Sequence, residues 1–119
     1  LDAKDVRVAA RVRRSGYADR YPHEFTIRSS TASGSPTELH KIVDGFGDLM
    51  FYGHADPSGQ GLSSWWILDL NAFRAGLIRH IHNGPQIRYG TKTNLDGTAF
   101  RYFGIRSFPA EPPLVVARG

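Results

Sequence analysis

Three carboxylates stand where chemistry is conceivable. Glu38 lies in the first turn of a segment opened by Ser35-Pro36-Thr37. Asp48 enters the apolar run Leu49-Met50-Phe51-Tyr52-Gly53-His54. Asp69 closes the run Trp65-Trp66-Ile67-Leu68, with Asn71 two positions later. If 48–54 and 65–71 form a hairpin around the polar loop 55–64, the start of one strand meets the end of the other. Asp48 and Asp69 are then neighbours at one end of a sheet, and Glu38 can face the same end. Converging carboxylates suit Mg²⁺ or Mn²⁺, which prefer hard oxygen ligands. A metal held between Asp48 and Asp69 can polarise a phosphodiester and activate a water. Each acid also has a plain structural reading. Asp48 after Gly47 is a turn residue, Asp69 and Asn71 are helix caps, and Glu38 is favoured by the helix dipole.

The cations form a second set. Fifteen Lys+Arg against 11 Asp+Glu give a net charge of +4, in keeping with a polyanionic partner such as DNA or RNA. Twelve of the 15 are Arg, whose planar fork grips phosphate bidentately. Lys4, Arg7, Arg11, Arg13, Arg14 and Arg20 crowd the first 20 positions. Arg88, Lys92, Arg101 and Arg106 interleave with Tyr89, Tyr102 and Phe103 further on. Rings and guanidiniums on one sheet face can stack on bases and hold a backbone. The bland alternative is a solvated charged surface. Arg7, Arg11, Arg13, Arg14, Arg88, Arg101 and Arg106 are the candidate nucleic-acid contacts.

Other chemistries fare worse. Cysteine is absent, so disulfides, thiol nucleophiles and cysteine-bound zinc are excluded. There is no Gly-X-Ser-X-Gly, and Gly45-Phe46-Gly47 is too short for a phosphate loop. The five histidines show no zinc-ligand spacing; His80 and His82 point the same way only on a strand. His54, next to Asp56 in sequence register, reads as an exposed loop histidine, with general acid–base work as the alternative. No apolar run approaches the ~18 residues of a membrane span and no signal-peptide pattern is visible, so we expect a cytoplasmic protein without a membrane partner. Its size and polar hairpin loops suit a phage or mobile-element protein.

The elements that must position these groups follow from periodicity and end signals. Residues 2–15 read as a basic helix capped by Asp2 and stopped by Gly16, with an alternating strand (Val6, Val8, Ala10, Val12) as the competitor. Residues 23–29 alternate as a strand. A short helix runs from Thr37 to Val43 or Asp44, with Ser35 as its cap. The apolar density of 65–70 implies burial on both faces. A helix follows over 72–81, capped by Asn71. Strands at 87–93 and 98–105 flank the turn Asn94-Leu95-Asp96-Gly97, and 114–117 forms a last short strand. Trp65 and Trp66 must leave a strand on opposite sides. One enters the core, and the other goes under a helix, into a groove or to a partner chain, which makes a homodimer plausible. The expected architecture is one α+β (mixed α/β) domain over 1–119, with a sheet of about five strands and flanking helices.

Over 36–81 this order resembles the restriction-endonuclease-like, or PD-(D/E)XK, nuclease superfamily: a helix with Glu, a strand with Asp, a hairpin, a strand ending in acid-X-polar, then a helix. The resemblance implies a restriction-endonuclease-like core and metal-dependent phosphodiester hydrolysis. It makes Asp48 the first metal ligand, Asp69 the second acid and Glu38 the helix carboxylate. The family's lysine falls on Asn71, which carries no charge. Lys41, one helical turn from Glu38, or Lys92 would have to supply the ammonium. A non-catalytic nucleic-acid-binding module and a dimeric accessory protein are the alternatives.

Overall fold

The computed structural model describes residues 5–31, 33 and 37–119. In chain order these form β1 (Val8–Arg13), α1 (Tyr17–Arg20), β2 (Glu24–Ser30), α2 (Glu38–Val43), β3 (Leu49–Ala55), β4 (Leu62–Asp69), α3 (Leu70–Ile81), β5 (Tyr89–Thr93), β6 (Ala99–Gly104), a 3₁₀ turn (Ile105–Ser107) and β7 (Val115–Arg118). The α+β class stands. The strands, however, divide between a four-stranded sheet of order β1-β3-β4-β7 and a three-stranded sheet of order β2-β6-β5.

The basic segment is a strand and not a helix. The helix reading rested on local end signals, of which Asp2 lies outside the described residues. Those signals compete with a tertiary ladder. β1 pairs in parallel with β3 over its whole length, from Val8 opposite Leu49 to Arg13 opposite His54. An isolated helix of this length is marginal in water, whereas the ladder satisfies the backbone and seats an alternating pattern. Gly16, read as a helix stop, has φ 90° and precedes the single turn of α1. The parallel pair needs a crossover, and α1, β2 and α2 provide it.

Residues opposed across a ladder share a sheet face. Met50, Tyr52 and His54 of β3 therefore face the same way as Ala9, Arg11 and Arg13 of β1 and Leu68, Trp66 and Ser64 of β4. This is the core side, where Met50, Tyr52 and Leu68 are fully buried. Trp66 stacks on Tyr52 with centroids 5.8 Å apart, while Trp65 stacks on Phe51 on the opposite side. Leu68 is the one residue of β4 in the buried class, so the expectation of two buried faces is corrected. The outer face is open at its β1 edge, where Val8 and Val12 are 56% and 55% exposed.

An aromatic cluster joins the two sheets and α3. Phe25 lies 5.4 Å from Phe103, 5.9 Å from Phe73 and 6.3 Å from Tyr52, and Phe73 meets Phe103 edge-on at 5.0 Å. Gly76 permits the close approach of α3: a Cβ there would stand 2.9 Å from the Phe108 ring. The helix starts at Leu70, two residues earlier than its spacing suggests, because Asp69 and not Asn71 is the cap. One Asp69 carboxylate oxygen accepts the N–H groups of Asn71 (2.8 Å) and Ala72 (3.3 Å). Arg74 then ties α3 to its neighbours by donating to the carbonyls of Ile42 (3.0 Å) and Gly47 (3.2 Å), which satisfies a carbonyl in the last turn of α2. Thr37 takes the position before α2; Ser35 and Pro36 lie outside the described residues.

Candidate functional site

The hairpin brings the two acids to one end of the β3–β4 pair, as their spacing requires: Leu49 opposes Asp69, and the Leu70 N–H donates to the Asp48 carbonyl at 3.0 Å. Their carboxylates do different work. Asp48 Oδ2 accepts the Arg7 N–H at 2.8 Å, while the Arg7 carbonyl accepts from the N–H groups of Asp48 and Leu49. This clamp sets the register of β1. Asp69 caps α3, and Asn71 Oδ1 accepts from Arg74 at 2.7 Å. Glu38 Oε1 lies 3.7 Å from Arg11 Nη1. Lys41 shares a hollow of about 480 Å³ with Arg7 and Glu38. Lys92 is elsewhere and donates to the Tyr21 hydroxyl at 2.6 Å. Among the described residues, no group of three or more His, Asp or Glu is placed to hold a metal. One oxygen of each aspartate is thus held by backbone N–H groups, and Glu38 is turned to Arg11.

The cations converge on a different place. Arg28 of β2, Phe100 of β6 and Lys92 of β5 stand in one row across the three-stranded sheet, with Thr26, Tyr102 and Gly90 in the neighbouring row of the same face. Gly90 carries no side chain because the Tyr102 ring lies across it, where a Cβ would collide. This face turns toward the inner side of the four-stranded sheet: the Thr26 hydroxyl meets the hydroxyl of Tyr52 on β3 at 3.3 Å. Three guanidiniums surround the Phe100 ring, with Arg11 at 4.7 Å, Arg13 at 5.6 Å and Arg28 at 5.7 Å from its centroid. Arg13 also lies 4.1 Å over Tyr17, which packs on Tyr21 at 5.0 Å. The space between is a cleft of about 490 Å³, walled by Arg13, Arg14, Tyr17, Arg20, Lys92 and Phe100 among others. It shares Tyr17, Tyr21 and Phe100 with a hollow of about 230 Å³ that reaches Tyr102.

Charge in this cleft is poorly balanced. Among the described residues, none of the arginines lining it has a carboxylate within ion-pair distance, and Arg11 at its border pairs with Glu38. Burial and then the nearby Arg13 push the Arg11 guanidinium below its ordinary value, with Glu38 opposing them. The hydrogen bond from Lys92 holds the Tyr21 phenol below its ordinary value. An anion entering here relieves repulsion among guanidiniums that the protein itself leaves uncompensated.

Beneath the cleft lies His54. It is not an exposed loop residue: it sits on β3 at 2% exposure, between Tyr17 (6.3 Å), Tyr52 (5.4 Å) and Trp66 (5.5 Å). Neither ring nitrogen has a hydrogen-bond partner among the described residues. Burial, then Arg13, lowers its pKa, so the ring is neutral at pH 7.

The remaining expected cations scatter. Arg88 pairs with Glu24 at 2.7 Å. Arg7 lies 4.8 Å over Phe46 at the acidic end. Arg106 is exposed in the 3₁₀ turn. Arg101 faces the other side of the three-stranded sheet, opposite Ile27. From the expected set, Arg13, Arg14 and Lys92 line the cleft, and Arg11 borders it through the Phe100 ring. Sequence reasoning missed Tyr17, Arg20, Tyr21, Arg28 and Phe100. Period two within 24–30 does put Arg28 opposite in phase to Phe25 and Ile27, which was the available signal. Comparison with protein-family models, with curated proteins and with solved structures returns no match. No helix among the described residues is long and apolar enough to cross a membrane.

Proposed function

We propose that this protein is a nucleic-acid-binding module that takes a single strand into the cleft between β1, α1 and the three-stranded sheet. The observation that carries this reading is the convergence of Arg11, Arg13 and Arg28 on Phe100, beside Tyr17 and Tyr21. Guanidiniums grip phosphates and aromatic rings stack on bases, a pairing that serves an unstacked strand and not a closed duplex. The strand is held and not cut. Asp69 serves as a cap, Asp48 holds β1, and Asn71 at the resembled family's lysine position is bound by Arg74.

Fluorescence anisotropy with labelled oligonucleotides of about 12 nucleotides, within the range a single binding groove covers, tests the reading. Single-stranded DNA or RNA should bind more tightly than a duplex of the same length. Three or four phosphate contacts should give a log–log salt slope of about −2 to −3. The absence of binding at low salt, binding insensitive to salt, or preference for the duplex overturns it.

A further inference from the structure

The opposite face of the three-stranded sheet is built for something else. Ile27, Arg101 and Thr91 form one row there, and Phe25, Phe103 and Tyr89 the next. Between this face, α2 and α3 lies a cavity of about 370 Å³ whose walls include Leu39, Leu77, Ile78, Ile81, Tyr89 and Arg101. That volume falls within the range of about 300–1,000 Å³ usual for small-molecule sites. Ile78 and Ile81 are 58% and 72% exposed, an unusual state for two isoleucines on one helix.

The polar groups of this wall differ in how far they are committed. The Arg74 guanidinium donates to Ile42, Gly47 and Asn71. His80 Nδ1 accepts the Ile87 N–H at 3.0 Å. Arg101 has no carboxylate within ion-pair distance among the described residues, and its Nε is buried without a hydrogen-bond partner. Its guanidinium carbon lies 5.6 Å from the centroid of the Tyr89 ring. A guanidinium fork left open in an apolar wall is costly to bury and is satisfied by a carboxylate, which matches it in charge and shape.

We propose that this cavity binds an amphipathic organic acid. Its hydrocarbon body would lie along Leu39, Leu77, Ile78 and Ile81, and its carboxylate would close on Arg101. This ligand site is independent of the nucleic-acid cleft, which occupies the other face of the same sheet.

Octanoate and 1-octanol are the probes, titrated into the full chain and followed by backbone and methyl NMR shifts. Octanoate should saturate, with the largest shifts at Leu77, Ile78 and Ile81. It should bind at least about tenfold more tightly than 1-octanol, the ratio that a hydrogen bond to a charged group supplies. Arg101→Gln should bring octanoate to the level of the alcohol, and Arg101→Lys should keep part of the preference. Ile81→Glu, at an exposed position that does not threaten folding, should weaken octanoate more than octanol. The proposal falls if octanoate gives no saturable shift. It also falls if the alcohol binds equally well, which would mark a groove for a neutral apolar segment, or if both Arg101→Gln and Ile81→Glu leave octanoate binding unchanged.

Discussion

Phe100 and Arg101 are adjacent in β6 and serve two unlike regions. Phe100 looks toward β1 and is ringed by three guanidiniums; Arg101 looks toward the helices, beside the Tyr89 ring in a mostly apolar wall. The first region is rich in cations, open and aromatic. In the reading proposed above, its unbalanced charge suits a ligand with many negative charges. The second has one uncommitted cation in a mostly apolar wall, which in the proposal above is satisfied by one anionic group on an apolar body. Counting basic residues along the chain would merge the two. What separates them is the alternation of a strand, which sends neighbours to opposite faces, and the layer that each face meets.

The predictions are ordered by the size of the effect they should produce on this contrast. Phe25 is fully buried between both regions, touching Tyr52 on one side and Phe103 on the other. Phe25→Ala should cost about 3–5 kcal/mol in urea unfolding and weaken oligonucleotide and octanoate binding together. Loss at one site alone would show that the faces are not held by a common core. Arg13→Glu with Arg28→Glu should lower single-strand affinity about a hundredfold at low salt. Octanoate binding should be untouched, and a matched loss there would break the separation.

A smaller effect tests the acidic end, which belongs to neither region. Asp69→Ala should cost about 1 kcal/mol through the lost cap, whereas Asp69→Asn should be nearly neutral because Asn caps as well. If the parent shows a saturable Mn²⁺ heat in calorimetry that Asp69→Asn abolishes, nuclease chemistry displaces the binding-module reading.

The smallest effect is a slope. His54 is depressed by burial and by Arg13, and its unfolded value is about 6.5. Between the two values the unfolded chain binds the extra proton. Stability should therefore be complete above about pH 6.5 and fall as the pH drops toward the folded value. His54→Phe should flatten the Tm against pH curve over this window without loss at pH 7, since it also removes two unpaired buried nitrogens. An unchanged slope would assign the pH dependence to other groups.

Much of the scaffold was legible locally. The β3–β4 hairpin, α2, α3 and the β5–β6 turn all appear close to where spacing and end signals put them. At that turn the Thr98 N–H donates to Asp96 Oδ1 at 2.9 Å and Gly97 takes φ 87°. These features depend on residues near one another in the chain. β1 was misread because its strand partner lies some forty positions away, and two plausible helix caps outweighed a pattern that only β3 could reward. His54 was misread although the run 48–54 carries the alternation Met50, Tyr52 one step further to it; what buries the ring is packing against Tyr17 and Trp66, which are remote in the chain.

The sequence by itself determined the α+β class, the hairpins, the excess of arginine and the adjacency of Asp48 and Asp69, because period, turn chemistry and charge are properties of short stretches. Only the tertiary structure decided that the strands split into two sheets, that both aspartates are held by backbone N–H groups, and that Arg28 meets Arg11 and Arg13 around Phe100 while Arg101 is turned away from them. Those outcomes depend on which strands pair and which faces meet. Long-range burial of Phe25, Phe73 and Phe103 governs that choice, and no local pattern encodes it.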